Sequence, residues 1–591
     1  MRKLLLIFAI LLPLLSFGQN DALANKYFEE GQYDKALRIY QSIYDKNPRR
    51  LDIFKALVAT NQQLENYEVA GQLLENRAQS YGSYPQLTVD IGYNYELQEK
   101  LEEAKVFYQL AIEQLDAQPN YARFIGDTFD KYGLLTWAAQ AYEKGMALNP
   151  NADFNLQLAR VYGELQDYEN MFNSYLSLML SKPSYGSYTK RNLTEFITED
   201  PANEANVIFR KTLIKRIQED PNLLYNELLS WLYVQQKEFK KSFNQEKAIY
   251  KRKGETLEHL SQLALIAIEE EAYEIGLEVL DYVIENSGIV EEQLEAEEER
   301  MKVLVKIESD IDKIDDAFTA AFEKYGLSTL TYSLQIAYND FVAYRKKDPE
   351  TAILNLKVLS DTDLNRFEKA RVKMKLADIL VYTQKFNQAL IYYSQIQKKV
   401  KGNILAQQAR FKVARTSYFK GDFKWSQIQL DVLKKSTSQL IANDAMELSL
   451  LISDNSVEDS TQTALKKFAK ADLLALQEKP NQAVSILTDI LENHKGEAIE
   501  DEALLRRAKL YTELGKYDKA EADYLNIIEF FKEDILADDA FFMLAQLYER
   551  ELAQPERAQE FYEQIVFNYS DSIYFVDARK RYRSLRGDTI N

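Results

Sequence analysis

The ionisable side chains define which chemistry is open to this chain. Its 591 residues include 92 Asp and Glu, 73 Lys and Arg, two His and no Cys. A chain without Cys has no disulfide, thiolate zinc site, iron–sulfur cluster or cysteine nucleophile. His259 and His494 are far apart, and neither belongs to a metal-binding or nucleophile motif. Acid–base chemistry would therefore depend on carboxylates, Tyr, Lys or Arg.

Paired carboxylates are the arrangement that could catalyse a reaction, because two of them in one cleft can act as acid and base. A helical chain with 92 acids has such pairs throughout, so the pairs indicate solvated helix faces. The sequence has no phosphate-binding Gly loop, dinucleotide fingerprint, zinc-protease helix or nucleophile elbow. We expect no enzyme activity, no catalytic residue, no cofactor and no metal. An envelope glycan hydrolase is the least favoured alternative.

Helix breakers are scarce, since only 19 residues are Gly and 11 are Pro. Average usage would be about 7% Gly and about 5% Pro. The chain is therefore predicted to be all-α, and its length favours several domains or a one-dimensional array. The formal net charge of −19 repels a polyanion, so nucleic acid is not expected among the partners.

The N-terminus has the three-part plan of a secretory signal peptide. Two bases precede an apolar run over residues 4–15, and small residues at 16 and 18 precede a cut before Gln19. The run is too short to span a bilayer, which takes about 20 residues, and Gln19 cannot carry the lipid anchor of an N-terminal Cys. We expect export, no N-terminal lipid anchor and no transmembrane segment after cleavage.

A small residue recurs about every 34 positions near the start of the chain. It falls at Ala36, Ala70, Ala104, Ala138 and, as a larger side chain, Met171. A second, mostly small residue stands twelve positions earlier, and a large one stands four positions later, at Tyr40, Leu74, Tyr108, Tyr142 and Tyr175. Small residues let two helices approach closely, and a residue four positions on shares the same helix face. Each period therefore predicts a hairpin of antiparallel helices that must stack on its neighbours.

These five units resemble the tetratricopeptide repeat family. The best unit covers residues 24–48, where residues 31–36 read like the turn of that family. The resemblance implies an α–α superhelical solenoid of about a dozen helical hairpins. It also implies that the concave surface, lined by the first helix of each unit, binds protein partners.

The spacing returns with longer steps in the second half of the chain. Steps of 37, 57, 37 and 38 residues separate Ala389, Ser426, Ala483, Ala520 and Ala558. The longer step implies about one extra helical turn per unit, and the step of 57 contains an insertion over 440–462. This block resembles the repeats of periplasmic proteins that serve outer-membrane assembly and envelope division.

Five segments follow from these patterns. They are a signal peptide over 1–18, an N-terminal repeat block over 19–183, degenerate helical hairpins over 184–365, a C-terminal repeat block over 366–574, and a capping helix with tail over 575–591.

Two charge blocks meet at residue 254. Seven bases lie within 237–253, and fifteen acids without a base lie within 254–299. We favour pairing between adjacent helices over a bipolar surface that steers a charged partner. A third basic set belongs to the capping helix, with contact to an anionic surface as its alternative role: Arg579, Lys580, Arg581, Arg583 and Arg586.

First-helix positions of the repeats are the predicted partner-binding residues. They are Tyr93, Asp127, Arg160, Lys375, Asp378, Arg415, Tyr418, Arg506 and Lys509. Of the adjacent Tyr418 and Phe419, one is expected to face the core, which leaves the other as a candidate anchor. Asp378 stands near Lys375 where a clamp for peptide carboxylates would have Asn, so no such clamp is expected.

The predicted function is a non-enzymatic protein–protein interaction scaffold or adaptor. The resemblance places it in the bacterial periplasm, free or peripheral at the outer membrane. Its partners would be proteins of the cell envelope, in an outer-membrane assembly, secretion or motility complex. A carrier or chaperone for exported proteins is the alternative, and the sequence indicates no oligomeric state.

Overall fold

The computed structural model describes residues 20–80, 84–254, 256–435, 438–456 and 462–588. The chain is 79% helical and has no strand in these residues, which confirms the all-α prediction. The predicted signal peptide lies outside the described residues. Within the same ranges, no helix has both the length and the apolarity that crossing a membrane requires.

The chain divides into two compact units, Met1–Gln245 and Glu246–Asn591. The first unit begins with helical residues 20–29, here called α1. Its further helices are α2 (Tyr33–Lys46), α3 (Leu51–Gln63), α4 (Tyr67–Ser80), α5 (Leu87–Glu96), α6 (Leu101–Ala117), α7 (Ala122–Lys131), α8 (Leu135–Leu148), α9 (Asn155–Glu164), α10 (Tyr168–Ser181), α11 (Gly186–Leu193), α12 (Glu204–Glu219), α13 (Leu223–Gln235) and α14 (Phe239–Lys253), which runs across the border. Short 3-10 turns at Pro119–Tyr121 and Pro183–Tyr185 precede α7 and α11.

The second unit is likewise built from successive helices. Its helices are α15 (Glu258–Glu269), α16 (Tyr273–Asn286), α17 (Val290–Ile307), α18 (Ile311–Tyr325), α19 (Tyr332–Tyr344), α20 (Pro349–Asp361), α21 (Arg366–Tyr382), α22 (Phe386–Lys399), α23 (Ile404–Lys420), α24 (Phe423–Leu433), α25 (Gln439–Asp454), α26 (Thr463–Leu476), α27 (Pro480–Asn493), α28 (Glu500–Glu513), α29 (Tyr517–Phe530), α30 (Ala537–Gln546), α31 (Pro555–Asn568) and α32 (Phe575–Arg586). A π turn, Leu547–Glu551, follows α30.

The recurring small and large residues form the packing contact inside each hairpin. Ala36, Ala70, Ala104 and Ala138 are all buried. A Cβ on Gly126 would lie 2.4 Å from Cε1 of Tyr142, so the second helix places its ring directly on the first-helix glycine. Gly92 and Tyr108 make the same contact, with 2.5 Å to Cε1. The predicted complementarity of small and large side chains is therefore confirmed.

Thirteen hairpin turns of the described chain use a left-handed residue two positions before the second helix begins. Glycine supplies the positive φ at Gly31, Gly133, Gly421 and Gly515. Other residue types supply it elsewhere, at Glu65, Glu99, Gln166, Lys237, Glu271, Lys347, Gln384, Glu478 and Ala553. A solenoid with many turns therefore needs few glycines, because only some of these turns use one.

The longer repeat step of the second half comes from the first helices. The helices α5, α7 and α9 have 10 residues each, whereas α21 and α23 have 17 and α26 and α28 have 14. The second helices α8, α22 and α29 keep 14 residues in both halves. The predicted extra turn therefore lies in the first helix, and the step of 57 residues contains the additional helix α25.

The two charge blocks occupy α14 to α17. Lys237 pairs with Glu199 at 3.9 Å, and Lys241 pairs with Glu238 at 2.5 Å. At the other end, Lys302 pairs with Glu298 at 2.7 Å. The two blocks also contact each other: Nζ of Lys247 lies 6.0 Å from the ring centroid of Tyr282, and the hydroxyl of Tyr250 donates to the carbonyl oxygen of Asn286 at 3.2 Å. General pairing between the blocks stays a prediction.

Candidate functional site

A groove of about 680 Å³ in the second unit lies between the first helices of successive hairpins. Helices α21, α23 and α25 supply most of its walls, and Tyr344 from the end of α19, Tyr393 from α22 and Leu476 from the end of α26 complete it. A second groove of about 500 Å³ lies between α17, α19 and α21 and shares Asp378 with the first. First helices thus line both grooves, as the resemblance implied for a partner-binding surface.

The first groove is bounded by chain that returns from later in the sequence. Nε2 of Gln477 donates to the carbonyl oxygen of Tyr382 at 2.6 Å, across 95 positions. Lys347 and Glu478 form an ion pair across 131 positions. These contacts hold the end of α26 against the ends of α19 and α21, so Leu476 faces the groove beside Tyr344 and Tyr382.

The groove walls are rich in apolar and aromatic surface. Tyr344 and Tyr382 meet edge to face with ring centroids 5.0 Å apart. Phe411 and Phe419 are half-buried on α23, and Leu440 on α25 is 77% exposed. Such side chains can take up apolar groups of a partner without first breaking the core.

Asp378 is held at the wall of this groove by two donors. The hydroxyl of Tyr393 donates to its Oδ1 at 2.5 Å, and Nζ of Lys412 lies 2.8 Å from the same atom. Burial, and then the charge of Asp378, raise the pKa of Tyr393 well above its ordinary value. Asp378 therefore joins two hairpins and has little freedom to bind a partner.

The same arrangement of a carboxylate, a tyrosine and a cation recurs further along the chain. Asp472 accepts from the hydroxyl of Tyr418 at 2.9 Å and from Nε of Arg506 at 2.8 Å. Asp539 accepts from the hydroxyl of Tyr574 at 2.9 Å and lies 3.9 Å from Nζ of Lys509. Charges of neighbouring first helices are thus used to stack repeats.

Further predicted partner-binding residues are also engaged inside the protein. Lys375 pairs with Asp340, Arg160 pairs with Asp130, Asp127 accepts from the hydroxyl of Tyr142 at 2.6 Å, and Tyr93 stacks on Tyr132 at a centroid distance of 3.9 Å. The sequence places these residues on first helices but cannot show that they pair with the next repeat.

Tyr418 is a core residue, which corrects one prediction. Its side chain is 1% exposed, and its hydroxyl is bonded to Asp472. The prediction that one of the two adjacent aromatics faces the core is confirmed, but Tyr418 is not an exposed anchor. Phe419, one position on, is the member of the pair that reaches the groove.

Arg415 is the predicted partner-binding cation that keeps its charge available. Its guanidinium lies 5.4 Å from the ring centroid of Phe419, and both side chains line the groove. Across the described ranges, Arg415 makes no ion pair with a carboxylate. An exposed Arg on an aromatic ring can bind a carboxylate of a partner with two parallel hydrogen bonds.

The basic residues of the capping helix are mostly engaged. Arg581 lies 3.3 Å from Glu549, and both Arg583 and Arg586 contact Asp588. Arg579 lies over the ring of Phe575 at 5.6 Å. Lys580 is exposed. Contact of this helix with an anionic surface stays a prediction.

The two histidines occupy different surroundings. His259 is exposed on α15. His494, at the end of α27, lies 2.8 Å from Glu497 through Nδ1 and 3.2 Å from Nζ of Lys467 through Nε2. Among the residues that the structure describes, no group of three or more His, Asp or Glu side chains is placed to hold a metal ion.

Two stretches of the second unit match models of the tetratricopeptide repeat, at residues 501–533 and 539–572. They correspond to α28 with α29 and to α30 with α31. These stretches are tetratricopeptide repeats. The predicted resemblance to the tetratricopeptide repeat family is confirmed for these two stretches, and the predicted all-α fold of stacked helical hairpins is confirmed. Tetratricopeptide repeats favour protein partners.

Solved structures to which this chain is similar include the APC/C heterotetramer Cut9–Hcn1 and the Naa15/Naa10 complex bound to HypK-THB. The first match is 12% identical, covers 95% of both chains and has a TM-score of 0.25. The second is 12% identical, covers 96% of both chains and has a TM-score of 0.29. No curated protein sequence matches the chain.

Proposed function

We propose that this protein is a non-enzymatic scaffold that binds a segment of a partner protein in the groove between α21, α23 and α25. The observation that carries the proposal is the side-chain pair of Arg415 and Phe419. Lys375 pairs with Asp340 and Lys412 pairs with Asp378, whereas the guanidinium of Arg415 makes no carboxylate pair in the described chain. An exposed Arg beside aromatic side chains is typical of the residues that contribute most to binding a protein partner.

The chemistry of the groove indicates what the partner presents. A carboxylate would pair with Arg415, and an aliphatic or aromatic side chain would lie against Phe411, Phe419 and Leu440. The groove has a volume of about 680 Å³, so the part of the partner that it takes up would be a short or extended segment.

We further propose that the protein acts in the bacterial periplasm, free or peripheral at the outer membrane, within an assembly, secretion or motility complex of the cell envelope. The support is the signal-peptide pattern at residues 1–18 and the likeness of the C-terminal repeat block to periplasmic repeats. Both of these observations come from the sequence.

The proposal is tested by crosslinking in cells followed by mass spectrometry of the purified protein. The wild type is compared with Arg415→Ala combined with Phe419→Ala. Arg579→Ala is the matched control, because Arg579 also lies on an aromatic ring, at 5.6 Å from Phe575, but outside the groove.

We expect one defined envelope protein to be crosslinked to the wild type and to the control. The amount crosslinked to the groove variant should be at least about tenfold lower, since each hot-spot residue contributes about 2 kcal/mol or more to binding. Equal recovery with all three proteins would refute the groove as the binding site. A broad set of unfolded exported chains in place of one partner would identify a carrier instead.

A further inference from the structure

A basic island interrupts this acidic protein. Residues 379–421 contain eight Lys and Arg and no Asp or Glu, although the whole chain has a formal net charge of −19. The island comprises α22 and α23 and ends where α24 begins. Such a local reversal of charge attracts an anionic partner even when the whole protein is acidic.

Several lysines in and beside the island are available to such a partner. Five of them are exposed and form no ion pair in the residues that the structure describes: Lys398, Lys399, Lys401, Lys424 and Lys435. Both α22 and α24 pack on α23, and each runs antiparallel to it. The C-terminal ends of α22 and α24 therefore lie at the same end of these hairpins. Lys398, Lys399, Lys401 and Lys435 are at that end, whereas Lys424 is at the start of α24.

An apolar stripe accompanies the lysines on the outer side of α24. Trp425, Ile428 and Val432 are 45%, 46% and 55% exposed, and their spacing of three and four residues places them on one side of the helix. Lys424 precedes the stripe and Lys435 follows it. On α22, exposed Ile391 lies two turns before Lys398 and on the same side of the helix.

We propose that the outer face of α22 and α24 docks on a bilayer that contains anionic phospholipids. Lysines attract the headgroups, and their aliphatic stems let the charge stay in the headgroup layer while neighbouring apolar side chains insert. A Trp beside aliphatic residues on a basic helix face is the composition of an interfacial membrane contact. The groove of the proposed function lies among first helices, whereas this face belongs to second helices.

A bilayer accounts for this face better than an acidic protein does. The exposed apolar residues lie on the outside of second helices and do not contribute to the grooves between first helices. A bilayer needs no complementary pocket, since it takes up a row of apolar side chains flanked by bases.

Binding to vesicles tests this proposal on the full chain. The vesicles contain either phosphatidylglycerol with phosphatidylcholine or phosphatidylcholine alone, and bound protein is measured by flotation. We expect binding to the anionic vesicles that is about tenfold or more stronger than to the neutral ones and that falls as salt is raised. Tryptophan emission should shift to the blue on binding, because Trp425 is exposed whereas Trp137 and Trp231 pack against the core.

Matched variants separate the contributions of charge and apolar surface. Changing the five available lysines to Gln is expected to abolish binding to anionic vesicles. Five exposed lysines elsewhere that also form no ion pair in the described ranges provide the control with the same change of net charge: Lys46, Lys211, Lys215, Lys495 and Lys532. W425A/I428S/V432S is expected to weaken binding at least about fivefold, whereas L354S/V358S, which alters side chains 63% and 62% exposed on α20, is expected to leave it unchanged.

Trp425→Phe is expected to keep vesicle binding and remove the blue shift. The double variant of Arg415 and Phe419 is expected to bind vesicles as the wild type does, which separates this proposal from the groove. Absence of binding to anionic vesicles, or equal loss in the control lysine variant, would overturn the proposal. Binding of soluble polyglutamate through the same five lysines, without vesicle binding, would assign the face to an acidic protein and would also overturn it.

Discussion

Lys412 and Asp378 join two successive repeats, with Nζ of the lysine 2.8 Å from Oδ1 of the aspartate across 34 positions. Tyr393 donates its hydroxyl to the same oxygen. The carboxylate therefore links a second helix, its own first helix and the first helix of the next hairpin. The separation of Lys412 and Asp378 by 34 positions is close to the repeat step of 37 in this block, so the pair lies between successive repeats.

Asp378→Ala is expected to destabilise the protein by about 2–3 kcal/mol, because the buried hydroxyl of Tyr393 loses its acceptor and Lys412 loses its partner. Chemical denaturation followed by circular dichroism measures the loss. Asp431→Ala is the control, since Asp431 is 59% exposed and, in the part of the chain that the structure describes, its ion-pair partner is Lys434 at 3.2 Å; its effect should stay within about 0.5 kcal/mol. Similar losses for both variants would show that Asp378 has no structural role.

Gly126→Ala is expected to destabilise the first unit by about 1–3 kcal/mol, because the new methyl group would overlap the buried ring of Tyr142. The ring has little room to move, since its hydroxyl is bonded to Asp127 at 2.6 Å. Gly288→Ala provides the control, because a Cβ at Gly288 meets no atom within 4 Å.

A double-mutant cycle makes the test specific. In a Tyr142→Leu background, Gly126→Ala should be less destabilising by about 1 kcal/mol, because the clash is removed. The second repeat already combines a larger first-helix residue, Val58, with Leu74. Additive effects in the cycle would contradict direct contact between positions 126 and 142.

The fold was largely predictable from sequence because hairpin packing depends on a local pattern. Gly126 and Tyr142 lie within one repeat, and the pattern of a small and a large side chain at this spacing predicts their contact. The turns were only partly predictable: Gly31 and Gly515 mark a left-handed position, but Gln166 and Gln384 adopt it as well. Tertiary packing imposes that conformation on residues that do not favour it.

Glu502 should make stability depend on pH. Burial first, and then its hydrogen bond and repulsion with neighbouring Asp501, raise the pKa of Glu502 above its ordinary value of 4.5. Above pH 4.5 the unfolded chain has released this proton while the folded chain still holds it. The unfolded state then binds fewer protons, so the free energy of unfolding falls as pH rises towards the raised pKa.

Glu502→Gln is expected to remove this loss, because Gln has no proton to release and its oxygen can still accept from Asn455. The variant should be more stable than the wild type by about 1–2 kcal/mol at pH 7, and the difference should vanish below pH 4. Denaturation curves at several pH values measure it. Glu529→Gln, at an exposed position, should show no such trend, and a pH-independent difference at 502 would contradict the assignment.

The candidate site was less predictable than the fold. First-helix positions such as Asp378 and Arg415 could be identified from the repeat. Whether these side chains are free to bind a partner depends on residues elsewhere in the fold. Asp378 pairs with Lys412 of the next hairpin, whereas Arg415 lies on the ring of Phe419. The wall formed by α26 was beyond prediction, because Gln477 reaches Tyr382 across 95 positions and no local pattern encodes that return.

The most direct test of the groove as a protein-binding site is photo-crosslinking from a single position in living cells. A photoreactive amino acid is placed at Gln408, which is exposed in the groove, and in a second strain at Gln482, which is exposed on α27 away from it. We expect one discrete adduct with an envelope protein from position 408, lost in the Arg415→Ala variant, and none from position 482. The same adduct from both positions, or an adduct at 408 that survives Arg415→Ala unchanged, would contradict it.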